Sequence, residues 1–187
     1  MFCNLATQYV YMRGKLMNID IQKGNRFYGV PYIRSTNGSK IILGANCRFR
    51  SLTKMSNQAG ICRPCTIETL QEDAVIEIGE NCGFSGTMVS AALKISIGNN
   101  VMCGSNSSIT DTDWHGIHPS ERPARYAKKK EVIIEDNVWL GMNVVVLKGS
   151  HIGENSIIGA NSVVKGVIPR NVIAGGNPAV VIKALEF

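Results

Sequence analysis

The chain has 187 residues, 44% of them hydrophobic and 18% charged, enough for one domain with at most a short arm. That composition excludes a multidomain machine, a disordered tail and a membrane bundle, and the longest wholly aliphatic run, Val144 to Leu147, cannot cross a bilayer. Twenty Lys and Arg against fourteen Asp and Glu give a net charge of +6, which favours an anionic ligand without selecting nucleic acid over a phosphorylated small molecule.

The N-terminus, Met1 to Val10, lacks the apolar core and small-residue cleavage site of a secretory signal, so a cytoplasmic protein with no membrane insertion is expected. Residues 1–37 show no regular spacing and contain Arg13-Gly14-Lys15, Lys23-Gly24-Asn25-Arg26 and Pro31. They are expected to form an irregular cap or arm.

A period of six begins after it. One apolar residue falls at every sixth position in Leu43, Phe49, Met55, Ile61 and Ile67, again in Ile78 and Phe84, and again in Ile97, Cys103 and Ile109. After an excursion at about 115–130 it resumes as Ile134, Leu140, Val146, Ile152, Ile158 and Val164, with a small residue at the fourth place after most of them and Gly directly after Leu140, Ile152 and Ile158. This period suits neither an amphipathic helix nor simple strand alternation. Six residues make one flat strand and a corner, with the aliphatic inward and Gly easing the corner backbone, and three strands close a triangular coil. Residues 41–172 without the excursion give about six coils of 18, and the 1–37 segment has the task of covering the open first coil. The solenoid is placed at 38–183 with a tail at 184–187, and Ile168-Pro169-Arg170 breaks the register so that Pro178 to Lys183 packs back on the last coils.

Ile-Gly-Glu-Asn-Ser-Ile-Ile-Gly-Ala-Asn-Ser-Val-Val at 152–164, with Val138-Trp139-Leu140-Gly141 before it and Gly175-Gly176-Asn177-Pro178-Ala179 after it, resembles the hexapeptide-repeat acyltransferases. The small sugar and xenobiotic O-acetyltransferases are the most similar branch. The resemblance implies an all-β, left-handed parallel β-helix, a homotrimer with sites between neighbouring prisms, and transfer of an acetyl group from acetyl-CoA to a hydroxyl of a sugar or polysaccharide precursor. An N-acetyltransferase acting on an amino sugar is the nearest variant. A zinc lyase of the γ-carbonic-anhydrase kind would need three suitably spaced histidines, whereas His115, His118 and His151 are ordered differently, so no metal is expected. A non-catalytic binding solenoid is the remaining alternative.

Chemistry is expected where the repeat is expelled, in Thr110-Asp111-Thr112-Asp113-Trp114-His115-Gly116-Ile117-His118-Pro119. Acyl transfer to an alcohol needs a base that takes the hydroxyl proton and returns it to the leaving thiolate, which imidazole does near neutral pH. The Asp-x-Asp-x-His pattern is similar to the family segment carrying the catalytic histidine, which assigns the base to His115, with Asp113 or Asp111 orienting its ring. A solvated histidine beside two turn-forming aspartates is the alternative. His118, in a His-Pro pair like that of maltose- and galactoside-type enzymes, is second and is placed with Ser85 on the acceptor side, where the family often has Asn at the Ser85 position and an acid near Leu93. No Gly-x-Ser-x-Gly elbow occurs, so direct transfer is expected.

By the same resemblance the pantetheine arm of acetyl-CoA lies against Gly141-Met142 and Gly159-Ala160, with Lys165-Gly166 beyond, Lys183 and Arg170 reaching phosphate, and Trp139 walling the groove. Val180 stands where relatives often carry a basic residue. Corner geometry is the alternative for the glycines and subunit packing for Trp139. Five cations within Arg122 to Lys130 either attract an anionic acceptor or cofactor or solvate a projecting loop, and no nucleic-acid module accompanies them. Cys62-Arg63-Pro64-Cys65 is half a zinc motif without a second half, while Cys47, Cys65 and Cys82 occupy the small fourth position and read as core.

Overall fold

In the computed structural model, which describes residues 2–52 and 60–186, the hexads form three parallel sheets. The first holds β1 (Asp20–Ile21), β4 (Lys40–Leu43), β7 (Val75–Ile78), β10 (Lys94–Ile97), β13 (Val132–Ile134), β16 (His151–Ile152) and β19 (Val167–Ile168). The second holds β2 (Arg26–Tyr28), β5 (Arg48–Arg50), β8 (Gly83–Ser85), β11 (Met102–Cys103), β14 (Trp139–Leu140), β17 (Ile157–Ile158) and β20 (Val172–Gly176), closed by β21 (Ala179–Ala184). The third holds β3 (Tyr32–Arg34), β6 (Thr66–Thr69), β9 (Met88–Ala91), β12 (Ser108–Thr110), β15 (Val145–Val146) and β18 (Val163–Val164). Each strand pairs with the one a full coil away, giving a left-handed parallel β-helix of triangular section. We call the corner leading from first to second sheet the first corner, from second to third the second, and from third to first the third.

The core is the set of inward files. Phe27, Phe49, Phe84, Cys103, Leu140, Ile158 and Ala174 stand in one register, and all are buried. The three phenylalanines stack with centroids 4.9 and 5.1 Å apart, so the early coils are filled by rings and the later ones by aliphatics. Every hexad position named above is buried except Met55, which lies outside the described residues.

The small fourth positions have a polar task as well as a steric one. Ser150, Ser156 and Ser162 are buried, and their hydroxyls donate to the carbonyls of Leu147, Pro169 and Gly159 at 2.7, 2.7 and 2.6 Å. Cys47, Cys65 and Cys82 fill equivalent places, each thiol 3.2 Å from a carbonyl, of Gly79, Arg50 and Gly98. Each gives a carbonyl a side-chain donor, in addition to the backbone N–H of Ser150 on Leu147 O and of Gly86 on Arg50 O. Burial pushes the thiols of Cys65 and Cys103 well above the ordinary cysteine range, which suppresses the thiolate needed for nucleophilic chemistry.

Gly141, Gly153 and Gly159, directly after the inward aliphatics, do not carry the unusual backbone expected of them, although Gly86, Gly149 and Gly166 at other corners do, with φ of 58°, 73° and 95°. The left-handed conformation falls on asparagines, Asn46, Asn81, Asn100, Asn137, Asn155 and Asn171 at the first corner and Asn106, Asn143 and Asn161 at the second, with φ between 56° and 62°, a region Asn tolerates better than most residues. Their amides form ladders, Asn100 to Asn137, Asn137 to Asn155 and Asn155 to Asn171 at 3.0, 2.9 and 2.8 Å. Gly141 is needed for a different reason: a Cβ there would meet the Ala160 nitrogen at 2.6 Å. Coil-to-coil proximity, not φ, selects it.

The N-terminal segment is ordered, not irregular. Residues Phe2–Leu16 form helix α1, and β1 to β3 make a complete first coil in which Ile21, Phe27 and Ile33 pair with Leu43, Phe49 and Ile67. The period is masked in the sequence because Asn25 and Pro31 take the small fourth places. Asn25 is tolerated there by hydrogen bonds to Gly44 O and Cys47 N at 2.9 and 2.8 Å. Helix α1 covers the open end: Thr7 Oγ1 accepts from Phe27 N at 3.1 Å and the Tyr11 hydroxyl donates to Gln22 O at 2.7 Å, supplying partners to a bare strand edge. At the other end β21 runs antiparallel to β20, so the segment after Pro178 does fold back.

Candidate active site

The chain leaves the third corner after β12 and re-enters at β13, and the excursion is pinned at its neck. Asp113 N donates to Lys128 O and Lys130 N to Asp111 O at 3.1 and 3.0 Å, with Thr112 bridging Lys129. Lys129 Nζ also reaches Gln71. Two short 3-10 turns, Pro119–Glu121 and Ala124–Tyr126, stiffen the interior.

His115 is exposed, and its Nδ1 lies 2.9 Å from the Arg122 carbonyl oxygen. A carbonyl only accepts, so Nδ1 carries the proton and Nε2 presents a lone pair. His118 has the opposite tautomer. Its Nδ1 accepts from Ser120 N at 3.3 Å, capping the first 3-10 turn, with Ser120 Oγ at 2.7 Å, so its basic nitrogen is occupied.

Neither aspartate orients His115. The Asp111 carboxylate is buried and accepts from Ala92 N and Leu93 N, both at 2.7 Å. Burial pushes its carboxyl above the usual aspartate range, opposed by those donors. Asp113 instead pairs with Lys148 at 2.7 Å. The first carboxylate ties the neck to the coil below and the second to the coil above. Gly116, to which no sequence motif points, closes the loop: a Cβ there would overlap the Glu121 carbonyl, so Gly lets the chain turn tightly enough for His115 to reach Arg122.

Beneath the excursion lies a recess of about 200 Å³ walled by Leu70, Gln71, Ala92, Thr112, Trp114 and Ala127. Trp114 has φ +65°, a strained conformation for a bulky residue that turns up where the surroundings dictate it. The strain falls on the residue adjoining His115. Of the loop cations, Arg125 lies over the Tyr126 ring at 4.7 Å.

The expected cofactor residues divide among three edges. Trp139 is 47% exposed on the second sheet, in the outward file Met102, Trp139, Ile157, Ile173 and Lys183. Gly141, Met142, Gly159 and Ala160 form the adjoining second corner, with Met142 and Ala160 exposed. These make one continuous surface. Lys165 and Gly166 sit at the third corner, on the histidine's edge, and Arg170 sits at the first corner paired with Glu154 at 2.6 Å. Ser85 ends β8 on the second sheet, away from the edge bearing His115. Cys62 is exposed and Cys65 buried, so that pair does not converge on a common ligand.

Comparison with known proteins agrees with this architecture. Residues 131–166 match the family model described as bacterial transferase hexapeptide (six repeats). A galactoside O-acetyltransferase of Lactococcus lactis is 37% identical over 157 residues, covering 72% of this chain and 75% of that enzyme. Its Escherichia coli counterpart is 38% identical over 113 residues, with 59% of this chain and 55% of that enzyme covered. Among solved structures, a variant of AntD, an N-acyltransferase from Bacillus cereus in complex with dTDP-4-amino-4,6-dideoxyglucose and coenzyme A, has a TM-score of 0.70 at 19% identity, covering 95% of this chain and 89% of that one; it speaks for the fold. With hexads 131–166 matching the family model and three quarters of a 37% identical enzyme's length covered, the chain belongs to the hexapeptide-repeat acetyltransferases.

Proposed function

We propose that this enzyme transfers an acetyl group from acetyl-CoA to a hydroxyl of a sugar or polysaccharide precursor, with His115 as general base. The observation that carries this is the 2.9 Å contact of His115 Nδ1 with the Arg122 carbonyl, which fixes Nδ1 as the donor so that Nε2 is the basic nitrogen of the neutral, exposed ring. In the proposed step Nε2 takes the hydroxyl proton while the oxygen forms a bond to the thioester carbon. The tetrahedral adduct then collapses by breaking the C–S bond, and the imidazolium returns its proton to the departing thiolate. The Arg122 carbonyl, not a carboxylate, holds the ring and faces its positive charge.

The recess under Trp114 is sized for one sugar ring, and an indole wall suits the apolar face of a pyranose. Donor binding is assigned to Trp139, the backbone of Gly141-Met142 and Gly159-Ala160, and Lys183 for phosphate. His115 stands at the third corner and this donor surface spans the second sheet and second corner, so one chain holds the two apart. A homotrimer that brings the third corner of one protomer against the second corner of the next completes the site, and Lys165 would then approach the donor from the histidine's side. The curated relatives named above act on galactosides through oxygen, which favours an alcohol over an amine.

The test is initial-rate transfer from acetyl-CoA to a panel of sugars and matched amino sugars, with the assembly mass measured alongside. His115→Ala should lower kcat about 10²-fold or more with acetyl-CoA binding unchanged, whereas His118→Ala should cost less than tenfold. Equal turnover in wild type and His115→Ala would reject the base.

A further inference from the structure

The charge of this protein is not evenly spread. Residues 1–52 contain eight Lys and Arg and a single acid, Asp20, whereas the remainder holds twelve against thirteen. The net positive charge of the molecule therefore sits at the end of the prism built from α1 and the first two coils. Asp20 is engaged by Gln22 at 2.9 Å, and of the eight cations Arg34 alone has an ion pair among the described residues, with Glu68 at 3.6 Å. Lys15, Lys23, Arg26 and Arg48 are exposed.

The same end carries an uncovered apolar stripe. Val10 and Gly14 face the first coil and are buried, while Leu5, Tyr9, Met12 and Leu16, spaced by four, three and four, are 62%, 43%, 58% and 82% exposed. That spacing places them along one side of the helix. Val30 and Tyr32 of the first coil are exposed as well. Capping the prism needs only the buried face, and α1 has no acidic residue to interrupt the other. Apolar side chains in a row, flanked by cations without counter-charges, match the headgroup zone of an anionic bilayer in both polarity and charge. The helix is too short to span a membrane, and no described helix is long and apolar enough to do so.

We propose that the N-terminal end of the prism docks on an anionic phospholipid surface, with α1 lying in the headgroup plane, Leu5, Tyr9, Met12 and Leu16 turned into it, and Lys15, Lys23 and Arg26 meeting lipid phosphates. The recess floor at Leu70 and Gln71 follows β6 in the second coil, one to two strand spacings, or roughly 5–10 Å, above that end. On the reading of the recess given above, docking would hold it within reach of an acceptor displayed at the membrane.

The full chain should cosediment with vesicles of phosphatidylcholine containing one third phosphatidylglycerol at least tenfold better than with phosphatidylcholine alone, and less so as salt rises. Met12→Glu with Leu16→Glu should abolish the binding, and Lys15→Gln with Lys23→Gln should weaken it about fivefold per cation removed. Turnover of a soluble sugar and the assembly mass should stay at wild-type values in both. No vesicle binding, or equal binding to neutral and anionic vesicles, would overturn the proposal. So would a changed assembly mass in the Met12→Glu, Leu16→Glu protein, which would make the stripe a contact between copies of this chain. Failure of the acetyltransferase reading would show separately, as wild-type protein that binds vesicles but acetylates no sugar.

Discussion

The late coils and the excursion between β12 and β13 are built on opposite terms. In residues 132–168 the strands and corner asparagines are supported by their equivalents one coil away: Leu140 on Cys103, Ile158 on Leu140, Asn155 on Asn137. In residues 111–131 support is by single, unrepeated contacts, the Arg122 carbonyl to His115, Lys148 to Asp113, Gly116 against Glu121. A repeat secures shape through redundancy, and a reactive group needs an arrangement that occurs once. The proposed base lies where the repeat gives out, while the coils around it supply rigid anchors.

If that contrast is right, damage to the coils should appear as lost stability and damage to the loop as lost rate. Phe49 is the middle ring of the aromatic stack and fully buried. Phe49→Ala should cost about 3–5 kcal/mol in equilibrium unfolding, with kcat of the surviving folded fraction within about twofold of wild type. A mild stability loss accompanied by a large kcat loss would show that coil and loop are not separable.

Gly116→Ala should do the reverse. The overlap with the Glu121 carbonyl forces the turn open and shifts the ring that the Arg122 carbonyl holds, so kcat should fall about 10–100-fold, with the unfolding midpoint moved by only a few degrees. A kcat near wild type would mean that the tight turn does not position His115.

What the sequence discloses follows the same division. The hexads after residue 38 are legible because one apolar residue per six recurs often enough to exclude helix and plain strand. The first coil obeys the same rule in Ile21, Phe27 and Ile33, but Asn25 and Pro31 interrupt its small column, and only three-dimensional register recovers it. Helix α1 mixes good helix formers with Tyr9, Val10, Tyr11 and an internal glycine that weaken its intrinsic preference; docking on the first coil supports it as a helix. His115 can be found from its neighbours in sequence. Its partner cannot, because a backbone carbonyl has no residue identity, and carboxylates two and four places away suggest a pairing that the fold spends elsewhere.

The asparagine corners sharpen the comparison at smaller magnitude. Asn155 combines a left-handed backbone with a rung in the amide ladder. Asn155→Ala should lose about 1–2 kcal/mol, and Asn155→Gly should recover the backbone part while leaving the ladder broken. Equal losses in the two variants would locate the whole effect in the ladder.

The smallest expected effect is the most discriminating. Were Asp113 the residue that orients the base, its amide would disturb the histidine's tautomer, as removal of a triad carboxylate does, with rate losses of several orders of magnitude. Here Asp113 faces Lys148 at 2.7 Å and both side chains are more than a quarter exposed, so the pair is worth at most about 1 kcal/mol. Asp113→Asn should therefore lower kcat less than about threefold and leave the pH midpoint of kcat/KM where it was, since the Nδ1 proton remains on the Arg122 carbonyl. Lys148→Met should behave alike, because it breaks the same tie from the other side. A large loss in Asp113→Asn alone, with a displaced pH midpoint, would mean that the loop rearranges when substrate binds and hands the ring from carbonyl to carboxylate.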